Sequence, residues 1–393
     1  MNIRSILLGA SAAAMAATGA QAADLPVAPE PVDYVRVCDA FGSGFFYIPG
    51  TETCLKIGGG VRVEFRVNDV LNKGGSNWDA RTDESVRIRA RGYLNFDSRT
   101  NTEYGLLRTY VAAWSTADNA GGSDFYLDEA FIQLGGFVAG RTASYFDFYT
   151  GDNWGAILDQ GFSDYGETNL FAYTAQFGNG LSASLSVEAP NKRGVITGPG
   201  ILDYYGGVKV PDFVANVRID QGWGSAQLMG ALHHAYGINV PGLTSGKGKL
   251  GWAIGAGATF NLPMIAPGDS VSIQASYAQG AIGYVSSAWA DTFSDAAYTA
   301  AGGLRLSTAW GIGGGFTHFW TPAVSTSITA SYNSLDQAAG LPNIRDVNVQ
   351  GNLVWRPVSG LSTGVELEYR NRNVKGAPND DVLVGIFRVQ RTF

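Results

Sequence analysis

Long apolar runs are missing from this chain after its first two dozen residues. No later stretch approaches the about 18 consecutive apolar residues that a transmembrane helix requires. The N-terminus itself has Arg4, then the run SILLGASAAAMAATGAQA, which ends in Ala20-Gln21-Ala22. A charged start, an apolar middle and an A-x-A end are typical of a secretory signal. A membrane anchor is the alternative, but the run lacks a basic stop-transfer flank, so we expect residues 1–22 to be a signal peptide.

Basic blocks are also missing, and histidine occurs only three times. Lys and Arg number 27 against 34 Asp and Glu, for a formal net charge of −7, which argues against nucleic acid as a partner. His233 and His234 are consecutive, so on a strand they point to opposite faces and cannot bind one metal together. A G-x-S-x-G motif at residues 360–364 opens a predicted strand rather than a strand-to-helix elbow. The sequence therefore predicts no enzyme activity, no cofactor and no metal.

Cysteine occurs only twice, as Cys38 and Cys54. After export both would meet an oxidising compartment, so we expect a disulfide between them. Zinc is the alternative, but no histidine is near and two thiols alone cannot complete a tetrahedral site. We interpret residues 23–55, which begin with the proline-rich LPVAPEPVD, as a periplasmic N-terminal segment.

From Lys56 onward, apolar and polar residues alternate with a period of two. Residues 344–355 show the pattern: Val347, Val349, Leu353 and Trp355 on one face, and Asp346, Asn348, Gln350 and Asn352 on the other. This alternation predicts a sheet with one apolar and one polar face. A soluble sandwich would turn its apolar faces inward, whereas a membrane barrel would turn them outward to lipid.

Connection lengths favour the barrel. Short turns alternate with long polar loops at residues 69–83, 147–167, 191–202, 237–247 and 283–302. Short turns at one rim and long loops at the other are typical of outer-membrane barrels. Counting on this basis gives sixteen strands, from 56–68 to 380–393, with the eighth over 203–219. The predicted fold is all-β, a sixteen-stranded antiparallel transmembrane β-barrel over residues 56–393.

The C-terminal strand DVLVGIFRVQRTF places Leu383, Phe387, Val389 and Phe393 in one phase. A terminal aromatic on a final lipid-facing strand resembles the assembly signal of outer-membrane barrels, which predicts that Phe393 engages the barrel-assembly machinery. Arg391 shares the outward phase and departs from an ideal signal, but at the rim it can snorkel to headgroups or water.

Three segments resemble the alphaproteobacterial, rhizobial-type general porins of the outer membrane. They are ADLPVAPEPVDYVRVCDAFGSGFFYIPGTETCLKIGGGVRVEF after the signal, the QGWGSAQL turn and the closing FRVQRTF. The resemblance covers essentially the whole chain. It implies a homotrimeric diffusion channel for small hydrophilic solutes, embedded in Gram-negative outer-membrane lipid and lipopolysaccharide. It also implies a third loop that folds inward into the lumen.

Arg87, Arg89 and Arg91 occupy alternate positions in the segment SVRIRARGYLNF, residues 85–96. On the lipid face each would cost about 2–4 kcal/mol, so the three together would cost about 6–12 kcal/mol. We therefore expect them to face the lumen, with the apolar residues between them facing lipid. The neighbouring strands follow the same logic and complete a predicted basic wall, which consists of Arg62, Arg66, Arg87, Arg89, Arg91 and Arg108.

The predicted third loop, FDFYTGDNWGAILDQGFSDYGET, contains acids and no Lys, Arg or His. The resemblance implies that this loop narrows the channel and sets its acids across from the basic wall, which would create a transverse field. An acidic surface loop bridged to lipopolysaccharide by divalent cations is the alternative. The candidate constriction acids are Asp147, Asp152, Asp159, Asp164 and Glu167.

Three other functions are weighed against a general porin. A substrate-specific channel for a sugar or an amino acid would normally show a dense row of lumen aromatics, which does not stand out. A barrel enzyme such as a phospholipase lacks a recognisable acid paired with any of its histidines. A soluble β-sandwich adhesin conflicts with the loop pattern.

Overall fold

The computed structural model describes most of the mature chain. The described residues are 36–71, 85–118, 121–155, 157–158, 161–163, 167–190, 194–198, 204–239, 248–290 and 292–393, excepting the side chains of 121–124. The predicted signal at 1–22 and the start of the segment 23–55 lie outside these residues.

Sixteen antiparallel strands form the barrel. They are β1 (Cys54–Val67), β2 (Val86–Thr102), β3 (Gly105–Asp118), β4 (Gly121–Leu134), β5 (Phe137–Thr142), β6 (Thr168–Gly178), β7 (Leu181–Glu188), β8 (Asp212–Gln221), β9 (Gly224–Tyr236), β10 (Gly248–Asn261), β11 (Ser270–Gln279), β12 (Thr308–Thr321), β13 (Val324–Asp336), β14 (Ile344–Val358), β15 (Leu361–Val374) and β16 (Asp380–Thr392). Each strand pairs with the next, and β16 pairs with β1 over residues 60–67, which closes the sheet. The predicted fold class is confirmed.

The eighth strand begins later than the sequence predicts, at Asp212 rather than near residue 203. Tyr204 N donates to Ile196 O at 2.6 Å, and Ile238 N donates to Tyr204 O at 2.8 Å. The chain before Pro211 is therefore hydrogen-bonded to loop segments instead of to a neighbouring barrel strand. Pro211 lacks an N–H for the ladder, which is consistent with the strand starting directly after it.

A second, small sheet joins two of the long loops. Residues Val195–Thr197 pair in parallel with Ser294–Tyr298, which pair antiparallel with Leu304–Leu306. The alternation pattern did not predict these short strands. The short helices in the described part of the chain all lack the length and apolar character to cross a membrane.

The two faces of the sheet are the inverse of those in a soluble protein. Apolar side chains such as Ile88 (59 % exposed) and Leu367 (62 % exposed) point outward, whereas Glu64, Gln350 and other polar side chains are buried inside the barrel. A soluble sandwich would bury its apolar face. The exposure of that face therefore excludes the soluble-sandwich alternative. The outward face is suited to lipid and the inward face to water.

The N-terminal segment forms a small hairpin at the rim of short turns. The predicted disulfide between Cys38 and Cys54 is present, with the two Cα atoms 6.0 Å apart. Phe46 and Tyr47 pair with the first two residues of β1, beyond the point where β16 ends. The hairpin therefore covers a strand edge that the barrel leaves open, with Phe45 buried between the two cysteines.

Replacing both cysteines, by Cys38→Ser and Cys54→Ser, should free residues 36–53 from the rim without unfolding the barrel. A disulfide that closes a loop of this length contributes about 3 kcal/mol, which is large beside a two-residue strand pairing with β1 and a few backbone hydrogen bonds such as that from Tyr47 N to Arg36 O at 2.8 Å. Limited proteolysis should cut the segment in the variant and spare it in the oxidised wild type. Loss of the barrel's heat-resistant gel mobility in the same variant would show instead that the disulfide supports the barrel.

Candidate functional site in the lumen

The inward faces of β1 and β2 bring five arginines of the basic wall together. Directly opposed side chains on antiparallel strands have Cβ atoms about 4.5–5.5 Å apart, so like charges at such positions repel. Two of the three central pairs place one arginine directly opposite another. The pairs are Arg62 with Arg91, Arg66 with Arg87, and Glu64 with Arg89.

Glu64 lies at the centre of these arginines and is fully buried. Its carboxylate accepts hydrogen bonds from Arg66 Nε at 2.8 Å and from Arg388 Nε at 2.7 Å. Arg62 Nε lies 3.5 Å from the same carboxylate. One acid thus offsets part of the repulsion within the wall. The alternation in GVRVEFRV predicts that Glu64 faces inward, as it does, but the sequence alone did not identify Glu64 or Arg388 as members of this cluster.

Arg89 and Arg91 of β2 have partners on β3. Arg89 forms an ion pair with Asp118 at 2.7 Å. Arg91 donates from Nε to Thr116 Oγ1 at 2.8 Å, and its guanidinium lies 3.6 Å from the centre of the Trp114 ring. Stacking on an indole face stabilises a guanidinium and fixes its orientation. Arg91 is therefore held in place without a carboxylate.

Arg108 lies at a different level of the barrel. It is opposite Arg99, and both guanidiniums hydrogen-bond to Asp97. Arg99 is eight positions along β2 from Arg91, which corresponds to about 27 Å at the usual rise of a strand. Arg108 therefore belongs to a separate charge cluster near the β2–β3 turn, and not to the contiguous wall on β1 and β2.

The inner loop comprises residues 143–167; its described residues follow β5 and run along the inside of the barrel. Tyr145 N donates to Glu188 at 3.0 Å, Tyr149 N to Gln274 at 2.9 Å, and Asp152 N to Thr329 at 3.0 Å. These acceptors belong to β7, β11 and β13, so the loop crosses the inward faces of many strands. The lumen is consequently narrower than the barrel.

The middle of the inner loop, at Trp154, Gly155 and Leu158, is held by a loop latch, which consists of Glu366, Glu368 and Arg388. The Glu366 carboxylate accepts the backbone N–H groups of Trp154 and Gly155, and Glu368 accepts that of Leu158 at 2.6 Å. Arg388 donates to the carbonyl oxygens of Trp154 and Gly155. The latch therefore satisfies donors and acceptors of the same short backbone segment from two neighbouring strands.

Gly155 is required by this close approach. A Cβ at that position would lie 1.9 Å from Ile386 Cδ1 and 2.5 Å from Glu366 Oε1. An alanine here would therefore require the Ile386 side chain and the Glu366 carboxylate to move. No local sequence signal identifies the latch, because its acceptors lie more than two hundred positions away in the chain.

Two of the predicted constriction acids are engaged within the inner loop. Asp147 Oδ1 accepts a hydrogen bond from Ser163 Oγ at 2.8 Å, and Asp152 Oδ2 accepts one from Tyr149 Oη at 2.9 Å. Asp152 also contacts the inward face of β12, where a Cβ on Gly315 would come within 2.6 Å of Oδ2. Asp159 and Asp164 lie outside the described residues.

Glu167 ends the inner loop beside two acids of β4. Burial raises the pKa of Glu167 to about 7, and the negative charge of Asp128 adds to the effect, as does that of Glu129. Arg141 acts in the opposite direction. The three carboxylates form an acidic region that the sequence analysis recognised only in part, through Glu167.

A second loop, between β11 and β12, also folds inward. Tyr284 Oη donates to Asp212 at 2.7 Å, and His233 Nδ1 lies 2.8 Å from the same carboxylate. Ser287 N donates to Phe162 O of the inner loop at 2.8 Å, so the two loops support each other. His233 and Asp212 are fully buried, so this pair cannot reach a solute.

Neutralising the latch carboxylates, by Glu366→Gln with Glu368→Gln, should loosen the inner loop. Hydrogen bonds to charged groups contribute about 1.5–3 kcal/mol each, and the amides would present donors to backbone N–H groups. Single-channel recordings should show increased open-channel noise and frequent partial closures.

The matched control for the latch is Glu103→Gln, the same chemical change at an exposed turn. It should record like the wild type. If the double variant shows no more open-channel noise and no more partial closures than the wild type, the latch does not hold the loop in place.

The raised pKa of Glu167 predicts that the preference of the lumen for cations falls on acidification. A carboxyl group with a pKa of about 7 is charged above that pH and neutral below it, so one negative charge disappears beside Asp128 and Glu129. Reversal potentials in a salt gradient at about pH 8 and about pH 6, which bracket this pKa, should differ in the wild type. The difference should shrink in Glu167→Gln; an undiminished difference would assign the titration to other groups.

Comparison with known proteins identifies the family. The family model described as "Porin subfamily" matches residues 24–384. The chain is 33 % identical to porin Omp2b of Brucella canis over an alignment of 411 positions, which covers 100 % of both chains.

Solved structures share the fold at low sequence identity. The outer-membrane channel DcaP of Acinetobacter baumannii has a TM-score of 0.69 at 15 % identity, covering 88 % of this chain and 99 % of that one. OmpT of Vibrio cholerae, in its trimer form, has a TM-score of 0.54 at 10 % identity, covering 87 % and 100 %. The full-length match to a porin family and the closed barrel with its polar interior agree. The chain therefore belongs to the Porin subfamily: it forms a general diffusion channel in the Gram-negative outer membrane and is not an enzyme.

Proposed function

We propose that the channel filters small hydrophilic solutes and ions by size and charge at a constriction between the basic wall and the inner loop. Arg388 carries the proposal because it contacts both sides. Its Nε donates to Glu64 of β1 at 2.7 Å, and its Nη2 donates to the carbonyl of Gly155 at 3.0 Å. The loop segment at Gly155 therefore lies beside the arginines of the wall.

The charge filter follows from the separation of the two signs. The arginines of β1 and β2 supply one side, and we assign the loop acids Asp147, Asp152, Asp159, Asp164 and Glu167 to the other. Opposed charges across a narrow water-filled gap order water and orient dipolar solutes. Glu167 lies beside Asp128 and Glu129, so it contributes to a negative region.

The assembled channel is proposed to be a homotrimer surrounded by outer-membrane lipid and lipopolysaccharide. The trimer form of OmpT, which shares the fold, supports the oligomeric state. Phe393 is 71 % exposed at the end of the barrel, as recognition by the barrel-assembly machinery requires. Residues 1–22 serve as the export signal and residues 23–55 lie on the periplasmic side.

Replacing Arg87, Arg89 and Arg91 by serine should raise cation preference and increase conductance. The change removes three positive charges and three long side chains from one inward face, whereas the paired acids remain. The reversal potential in a salt gradient and the single-channel conductance report the two effects separately.

Arg391→Ser is the control, because Arg391 pairs with Val61 in the outward phase and its side chain donates to Ser359 O at the rim of short turns. It should leave both quantities close to wild type. Unchanged selectivity and conductance in the triple variant would remove the wall from the filter.

A further inference from the structure

A cavity of about 360 Å³ opens on the lumen side of β1 to β4. Its volume corresponds to roughly twelve water molecules at about 30 Å³ each, enough for a solute of amino-acid size. The lining combines charges of both signs with aromatic rings: Arg62, Arg91, Tyr93, Tyr110, Trp114 and Asp128.

Neither arginine of the cavity is hydrogen-bonded to a carboxylate. Arg62 approaches Glu64 only to 3.5 Å, and within the described part of the chain its buried Nε has no hydrogen-bond partner. Arg91 is fixed by the Trp114 ring and the Thr116 hydroxyl. The two guanidiniums oppose each other across β1 and β2. A carboxylate bound between them would relieve their repulsion and supply the missing acceptor.

Asp128 reaches the cavity through a β-bulge in β4. Ala112 pairs with Glu129 and Ala113 with Leu127, so Asp128 is the extra residue without a partner in β3. Bulges redirect side chains and occur beside functional sites. Among the described residues, the Asp128 carboxylate has no hydrogen-bond or ion-pair partner, whereas its backbone carbonyl accepts from Arg141 at 3.1 Å.

The opposite charges of the cavity are held apart. No ion pair within 4.0 Å joins Asp128 to Arg62 or Arg91 in the described structure, although all three line the same space. Stacking on Trp114 restrains Arg91 from moving toward the acid. A molecule with a carboxylate at one end and an ammonium at the other complements this arrangement. A simple anion would leave Asp128 unpaired, and a simple cation would leave the arginines unpaired.

We propose that this cavity is a binding site for small zwitterionic solutes of the amino-acid type. Arg62 and Arg91 bind the carboxylate, and Asp128 binds the ammonium group. The proposal rests on the proposed function, since the solute reaches the cavity through the lumen, and it adds a preferred solute class to a general filter.

Three probes share an aromatic ring and differ in charge. Phenylalanine carries both a carboxylate and an ammonium group, phenylacetate carries only the carboxylate, and phenylethylamine carries only the ammonium group. Each is added to purified channels in planar bilayers, and the concentration that half-blocks the ion current is measured. We expect phenylalanine to block at the lowest concentration, roughly tenfold below phenylacetate, which corresponds to one added charge-assisted hydrogen bond. Phenylethylamine should block least. Equal block by the three probes, or no block by phenylalanine, would overturn the proposal.

Two variants test the assigned roles. Asp128→Asn should abolish the preference for phenylalanine over phenylacetate: phenylalanine blocks less well because its ammonium group loses its partner, and phenylacetate blocks at an equal or lower concentration because a repelling charge is gone. Arg91→Gln should weaken both, and Arg62→Gln provides the same test where Arg91→Gln fails to fold. Glu103→Gln and Arg391→Gln are matched controls outside the cavity. An Asp128→Asn channel that still prefers phenylalanine contradicts the site.

Conductance and selectivity measured without probe, in the wild type and in the variant with Arg87, Arg89 and Arg91 replaced by serine, test the proposed function independently. A channel with the expected charge filter but no preference for phenylalanine disproves only the binding site. A channel whose selectivity ignores the arginines disproves the filter itself.

Discussion

The constraint on which this structure depends is that a backbone in lipid must satisfy all its hydrogen bonds internally. A chain without long apolar segments can meet this requirement only by closing a sheet, and pairing of β16 with β1 completes the closure. Closure also explains why apolar and polar residues alternate along each strand with a period of two. One face of every strand meets lipid, and the other face receives all the charge that lipid excludes.

Much of the fold was predictable because this constraint acts on every strand separately. Each strand repeats the same alternation, so the number of strands and the inward phase of Arg87, Arg89 and Arg91 follow from local sequence and the cost of charge in lipid. The eighth strand was predicted too long because alternation does not report hydrogen-bond partners. Tyr204 is bonded to two loop segments that are remote in sequence.

The organisation of the lumen was less predictable, since it depends on register and on contacts between distant residues. Glu366 and Glu368 look like ordinary inward-facing polar residues until the inner loop reaches them across the barrel. Counting acids in the loop was also insufficient. Asp147 and Asp152 bond to side chains of their own loop, whereas Asp128 acquires its position from a bulge that shifts the pairing by one residue.

The basic wall and the inner loop are coupled through a single buried carboxylate. Removing one member of a buried charge network leaves the others uncompensated, at a cost of about 3–5 kcal/mol. Glu64 accepts from Arg388, and Arg388 in turn holds the carbonyls of Trp154 and Gly155. A change in the charge of the wall at this point therefore alters the support of the loop as well. In the proposed filter, charge selectivity and pore size are consequently not independent properties, because the Arg388 guanidinium contributes to both.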